Sequence, residues 1–252
     1  MILKKLHEQI KNNEYEAILL TGLENPVAAR NLRYVTGYTG SFGFAIIGEG
    51  YQYFVSDFRY KAQVAAQVPD FTFVEIKDGL LNALKEVVEK EGITKLGFDK
   101  KMRFSEYEMY QGLGVELIPM DNVIENLRVS KTEEEIKTLK KACEITDQAL
   151  TDVLKKLKVG MVERDVEVMV KSRMLELGAE GTWERFIIAS GARGAMPHGM
   201  ASDKVIEQGD MVTFDIGCIY KGYSSDLTRT VSMGEPNPKM KEIYHIVLEA
   251  NE

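Results

Sequence analysis

The chain has 252 residues, 44% hydrophobic and 28% charged, a balance ordinary for a soluble globular protein of one large or two modest domains. A formal net charge of −7 argues against a nucleic-acid surface, which needs clustered Lys and Arg to neutralise phosphates. No run approaches the ~18 apolar residues of a membrane span. Lys4, Lys5 and Glu8 also stand where a signal peptide needs an apolar core, so the expected location is cytoplasmic.

From the N-terminus, Leu3, Leu6 and Ile10 line one face of an opening helix, and Ala17–Leu20 reads as a short buried strand ended by Thr21-Gly22. Phe44–Ile47 and Tyr51–Val55 flank Gly48-Glu49-Gly50, a hairpin signal. Tyr60–Val68 is helical and stops at Pro69; Phe71–Val74 is a strand, Leu80–Val88 a helix and Lys95–Phe98 another strand. Strands separated by helices predict a mixed α/β domain with a covered sheet over residues 1–125. Asp57 and Arg59 are expected to form a structural pair at a strand-to-helix junction. The glycines of Thr36–Gly43 lack the Lys-Ser/Thr ending of a phosphate loop.

Pro119–Leu127 reads as a linker, and a second domain is expected over residues 128–252. Ser130 with Glu133, and Thr132 with Glu135, offer capping boxes for a long helix reaching about Lys158. A second helix carries Val166, Met169, Val170, Met174 and Leu177 on one face and ends at Gly178, although Val162 occupies its cap position. Cys143 and Cys218 fall on apolar faces without metal-type spacing and are expected as buried hydrophobes in a reducing compartment. Phe186–Ala189 is a buried strand leading into Ser190–Gly199, a loop able to bring His198 into a cleft. The closing segment, Met240–Glu252, is helical. There His245 and Glu249 share a face, but nothing else converges on them, so a solvated helix face is expected.

Asp210–Val231 reads as two strands joined by a tight turn. Val212, Phe214, Ile216 and Cys218 alternate with Thr213, Asp215 and Gly217. In the partner strand Ser224, Asp226, Thr228 and Thr230 alternate with Ser225, Leu227, Arg229 and Val231. Each strand therefore carries one aspartate on its more polar face. A two-residue loop at Tyr220-Lys221 sets Asp215 directly opposite Asp226, whereas one at Lys221-Gly222 leaves them diagonal on the same face. A three-residue loop over 220–222 puts them on opposite faces. Two carboxylates that share a face repel unless a cation sits between them. Arg229 shares a face with Leu227 and Val231, so packing its stem and pairing an acid competes well with a catalytic role.

The run Met196-Pro197-His198-Gly199, then Gly209-Asp210, Phe214-Asp215-Ile216-Gly217 and Tyr223–Thr230 resembles the "pita-bread" metallopeptidases, above all the Xaa-Pro branch of aminopeptidase P and prolidase. Asn25-Pro26, Leu32–Tyr38 and Asp57–Tyr60 resemble the N-terminal domain of the same peptidases and of creatinase. The resemblance implies a creatinase-like α/β N-terminal domain followed by the first half of an α+β pita-bread domain. It implies Asp215 and Asp226 as ligands of two divalent metal ions (Mn, Co, Zn or Fe) and His198 as a catalytic, substrate-binding histidine. The implied reaction is hydrolysis of peptides with proline at the second position, by a dinuclear-metal-activated water, in an enzyme that is a homodimer when full length. The family's remaining ligands, a histidine and two glutamates, have no counterpart before Glu252, so this chain is expected to be an inactive fragment that exposes the Phe214 and Ile216 face. A metal-free creatinase-like amidinohydrolase, against which Asp215 and Asp226 argue, and a non-catalytic peptide- or protein-binding module are the competing readings.

Overall fold

Ala17–Thr21 (β1) is buried at every position, as expected of a strand covered on both faces. In the computed structural model, which describes residues 2–22 and 26–251, β1 lies inside a mixed sheet. Antiparallel to it runs Phe44–Gly48 (β2), which turns at Glu49-Gly50 into Tyr51–Ser56 (β3). Thr72–Glu75 (β4) runs parallel to β3 at one edge. On the other side of β1 lie the parallel strands Lys95–Asp99 (β5) and Glu116–Met120 (β6), giving the order β4-β3-β2-β1-β5-β6. Side chains alternate between two cores. Ile18 and Leu20 meet Leu6 and Ile10 of α1 (Ile2–Lys11), Leu32 and Val35 of α2 (Pro26–Thr36) and Val64 of α3 (Lys61–Gln67). Ala17 and Leu19 meet Leu84, Val87 and Val88 of α4 (Leu80–Glu91) and Tyr110 of α5 (Phe104–Gln111). Asp57 accepts the Arg59 guanidinium through both oxygens, at 2.9 and 2.7 Å, where β3 gives way to a 3₁₀ turn. Asn25 lies outside the described residues.

The expected linker belongs to this first unit. Pro119 sits in the edge strand β6, where its missing N–H is tolerated. Val123–Val129 forms α6, with Ile124 buried and Val123 and Leu127 packed on the core of α1 to α3. The chain divides into compact units after Ser130 rather than near 125–128.

The second unit opens with α7 (Glu133–Leu154). Of the two candidate capping boxes, the structure uses Thr132 and Glu135. Its buried stripe is Ala142, Ile145, Thr146, Ala149, Leu150 and Val153. Cys143 stands outside that stripe and is exposed, which corrects its expected burial, while Cys218 is buried. Helix α8 (Glu163–Glu176) follows, and Gly178 then adopts a left-handed φ of 99°. The remaining strands are β7 (Gly181–Thr182), β8 (Ile187–Ser190), β9 (Met211–Ile216), β10 (Cys218–Tyr220), β11 (Tyr223–Ser224) and β12 (Leu227–Ser232). They make two three-stranded sheets, β12-β9-β8 and β11-β10-β7. Phe214 and Ile216, expected on an exposed face, are fully buried against α7 and α8. Exposed apolar side chains gather instead on α9 (Pro238–Asn251), at Ile243, Ile246, Val247 and Leu248. Among the described residues no helix is long and apolar enough to cross a membrane.

Candidate metal and substrate site

The ribbon that carries the two aspartates turns at Lys221-Gly222. Both residues have positive φ, 48° and 82°, and Tyr220 pairs with Tyr223, the pattern of a two-residue hairpin loop with both central residues left-handed. The same register continues into the second sheet, where Ile216 pairs with Leu227 and Asp215 with Thr228. Continued through that register, Asp215 and Asp226 have the same parity in diagonal positions, although Asp226 itself falls between β11 and β12, outside the paired residues. Asp215 is half-buried in the central strand β9 and accepts a 3.0 Å hydrogen bond from the Thr228 hydroxyl. Asp226 is exposed. Thr213 and Thr230 continue the polar face, their hydroxyls 3.1 Å apart.

Between the aspartate-bearing positions the ribbon leaves one sheet for the other. Gly217 stands at the crossing, where a Cβ would come within 2.3 Å of the Ser225 carbonyl oxygen and 2.4 Å of the Trp183 ring. Ser225, beside Asp226, points inward. Its hydroxyl oxygen accepts the Cys218 N–H at 2.9 Å and lies 2.6 Å from Thr146 Oγ1 of α7. Farther out, the Tyr223 hydroxyl donates to Glu135 at 2.8 Å. Burial raises the pKa of Glu135, but its hydrogen bonds, from the Thr132 backbone first and Tyr223 next, outweigh that and hold it below the usual carboxylate value. The polar face is thus fixed by bonds on its opposite, buried side.

His198 lies in the loop that follows β8. After β8, residues Gly191–Ala195 form a 3₁₀ turn against β9, and the chain returns so that Met200 bridges Ile187, itself paired with Asp215. Two strand spacings of ~4.8 Å put the Met200 backbone about 10 Å from that of Asp215. The exposed His198 lines a shallow cleft of about 560 Å³ with Arg164, Glu167 and Lys171 of α8, Arg185 and Met200. Neither aspartate lines that cleft. Among the described residues, no three of His, Cys, Asp and Glu converge in a metal-holding group. His245 and Glu249 lie exposed on α9. Arg229 is exposed and donates to the Thr228 carbonyl at 2.8 Å. The oxygens of two hard carboxylates suit a divalent cation in their chemistry, and two alone would be only part of a ligand set.

One group escaped the sequence reading. Glu163, the first residue of α8, is fully buried and hydrogen-bonded to Ser190, Arg193 and Ser202. Its only sequence signal is an acidic residue in the first turn behind the non-capping Val162.

Residues 2–130 match the creatinase/prolidase N-terminal domain, and residues 137–252 match metallopeptidase family M24. The Xaa-Pro dipeptidase of Pyrococcus horikoshii is 38% identical over 252 residues, covering 98% of this chain and 68% of that protein. The Bacillus subtilis protein described as uncharacterized peptidase YqhT is 42% identical over 223 residues, 87% of this chain and 63% of its own length. The solved structure of Xaa-Pro dipeptidase from Bacillus anthracis superposes with a TM-score of 0.90 at 38% identity, over 99% of this chain and 69% of that one. The chain therefore spans 63% to 69% of the length of these relatives.

Proposed function

The chain belongs to metallopeptidase family M24, behind a creatinase/prolidase N-terminal domain, and from that membership we propose that the whole protein hydrolyses Xaa-Pro peptide bonds with divalent metal ions as cofactors. The observation that supports this reading is the ribbon register, in which the Lys221-Gly222 turn and the Asp215–Thr228 pairing give Asp215 and Asp226 the same parity. These two carboxylates would hold the metal, with Thr228 fixing one oxygen of Asp215. When bound, a divalent ion supplies Lewis-acid polarisation of a carbonyl and a more acidic water. His198, on a loop at the edge of the same sheet, would donate a hydrogen bond to the substrate carbonyl oxygen as negative charge develops there. Two relatives described as Xaa-Pro dipeptidases support the preference for proline. Assembly as a homodimer and location in the cytoplasm belong to the same proposal.

The test has two arms. Mn²⁺ binding to the 252-residue chain is measured with Asp215→Ala and Asp226→Ala variants, each of which should abolish it. Hydrolysis of an Xaa-Pro dipeptide and of a longer Xaa-Pro peptide is measured on the whole protein, with and without chelator. Chelator-resistant turnover, or turnover that survives Asp215→Ala, would overturn the reading.

A further inference from the structure

We propose that Glu163 is the positioning residue of the His198 loop, holding that loop in shape through Arg193, Ser190 and Ser202. The role rests on reading His198 as the substrate-binding histidine.

The loop departs from β8 at Ser190 and comes back past Met200 to Ser202, so His198 lies between two ends that have to be brought together. Glu163 does this with one carboxylate. Its Oε1 accepts the Ser190 N–H at 2.7 Å and the Ser190 hydroxyl at 2.8 Å. Its Oε2 accepts the Ser202 N–H at 3.1 Å, the Ser202 hydroxyl at 2.7 Å and Arg193 Nε at 3.0 Å. Arg193 then reaches across the loop, its Nη2 donating to the Met200 carbonyl at 2.5 Å. That bond closes a ring over residues 193–200, inside which His198 sits.

A carboxylate with 0% exposure is costly unless its lone pairs are filled and a cation is near. Here five donors meet it, one of them the Arg193 guanidinium, and the amino end of α8 adds a favourable dipole. All five donors belong to the loop or its two ends; none of those bonds joins α8 to α7. Such a bond set fixes where the loop stands, which a side chain meeting a substrate needs to within about half an ångström.

The test uses Ser202→Ala, which removes one donor, Ser202→Thr, which keeps the hydroxyl, and Glu163→Gln, which removes the charge. In the 252-residue chain, amide hydrogen exchange across 193–200 should rise about tenfold in Ser202→Ala and more in Glu163→Gln, with α7 unchanged and slow exchange retained in Ser202→Thr. Unchanged exchange in both disruptive variants, or an equal rise throughout α7, would overturn the proposal. In the whole protein, Ser202→Ala should lower kcat/KM about tenfold, but by less than about twofold in a His198→Ala background. An equal loss in both backgrounds would show that Glu163 does not act through His198. If no Xaa-Pro hydrolysis is found in any variant, the functional reading fails, and the exchange measurement still decides whether Glu163 holds the loop.

Discussion

Asp215 pairs across the ribbon with Thr228, not with Asp226, and its carboxylate accepts the Thr228 hydroxyl at 3.0 Å. The diagonal arrangement has a physical consequence. Directly opposed carboxylates would repel at the shortest cross-strand distance, whereas the diagonal separates them and places a hydroxyl donor on one. Thr228→Val removes that donor while keeping the shape of an exposed side chain. Mn²⁺ affinity should fall about tenfold, with the urea midpoint nearly unchanged. Loss of binding together with unfolding would mean that Thr228 acts on stability instead.

The turn decides this register, so its residues carry a measurable share of stability. Lys221 and Gly222 both have positive φ. An added Cβ in that region costs roughly 1–2 kcal/mol. Gly222→Ala should therefore destabilise by about that amount, and Lys221→Asn should stabilise modestly, both read as shifts of the urea midpoint at constant slope.

Ser225 is the anchor beneath Asp226. With its hydroxyl oxygen 2.6 Å from Thr146 and accepting the Cys218 N–H, Ser225→Ala would strand a buried donor at a cost of about 1–3 kcal/mol. The same variant should weaken Mn²⁺ binding, because the strand beside Asp226 loses its tie to α7. Ser225→Cys, which keeps a weak acceptor, should fall between the two.

Much of this was legible from local pattern. The alternation of Val212, Phe214 and Ile216 with Thr213 and Asp215 is a period-2 signal strong enough to place Asp215 on a strand, whereas Asp226, expected on the partner strand, falls in the break between β11 and β12. The alternation could not choose among three loop placements, because the choice depends on which residues accept positive φ, and a lysine does so here. Short apolar stretches misled in two places. Val123, Ile124 and Leu127 looked like linker after Pro119, yet they spend their apolar side on the first core. Cys143 fitted a helical spacing whose true stripe, through Ala142 and Ile145, is one position earlier. Glu163 was invisible for a different reason. Its partners Ser190, Arg193 and Ser202 are distant in the chain, and only the packing of α8 against β8 brings them to it.

The acid limb of stability tests the same carboxylate. Burial raises the pKa of Glu163, but hydrogen bonds from Ser202 and Ser190 together outweigh burial and leave it below the ordinary 4.5. A depressed folded-state pKa means the unfolded chain binds the proton more readily. The stabilising contribution is therefore complete above about pH 4.5 and is lost as pH falls through the folded value. Glu135 is shifted in the same direction and contributes in the same acid range, but it does so equally with and without Glu163, so its share cancels in a comparison. The urea midpoint of the native chain should drop more steeply below pH 4.5 than that of Glu163→Gln, and the gap between the two should narrow toward pH 3. Parallel curves over pH 3 to 7 would mean that Glu163 binds its proton equally well in the folded and unfolded chain. The five donors around it would then give the carboxylate no net preference over the neutral acid, and the electrostatic part of the loop clamp would disappear.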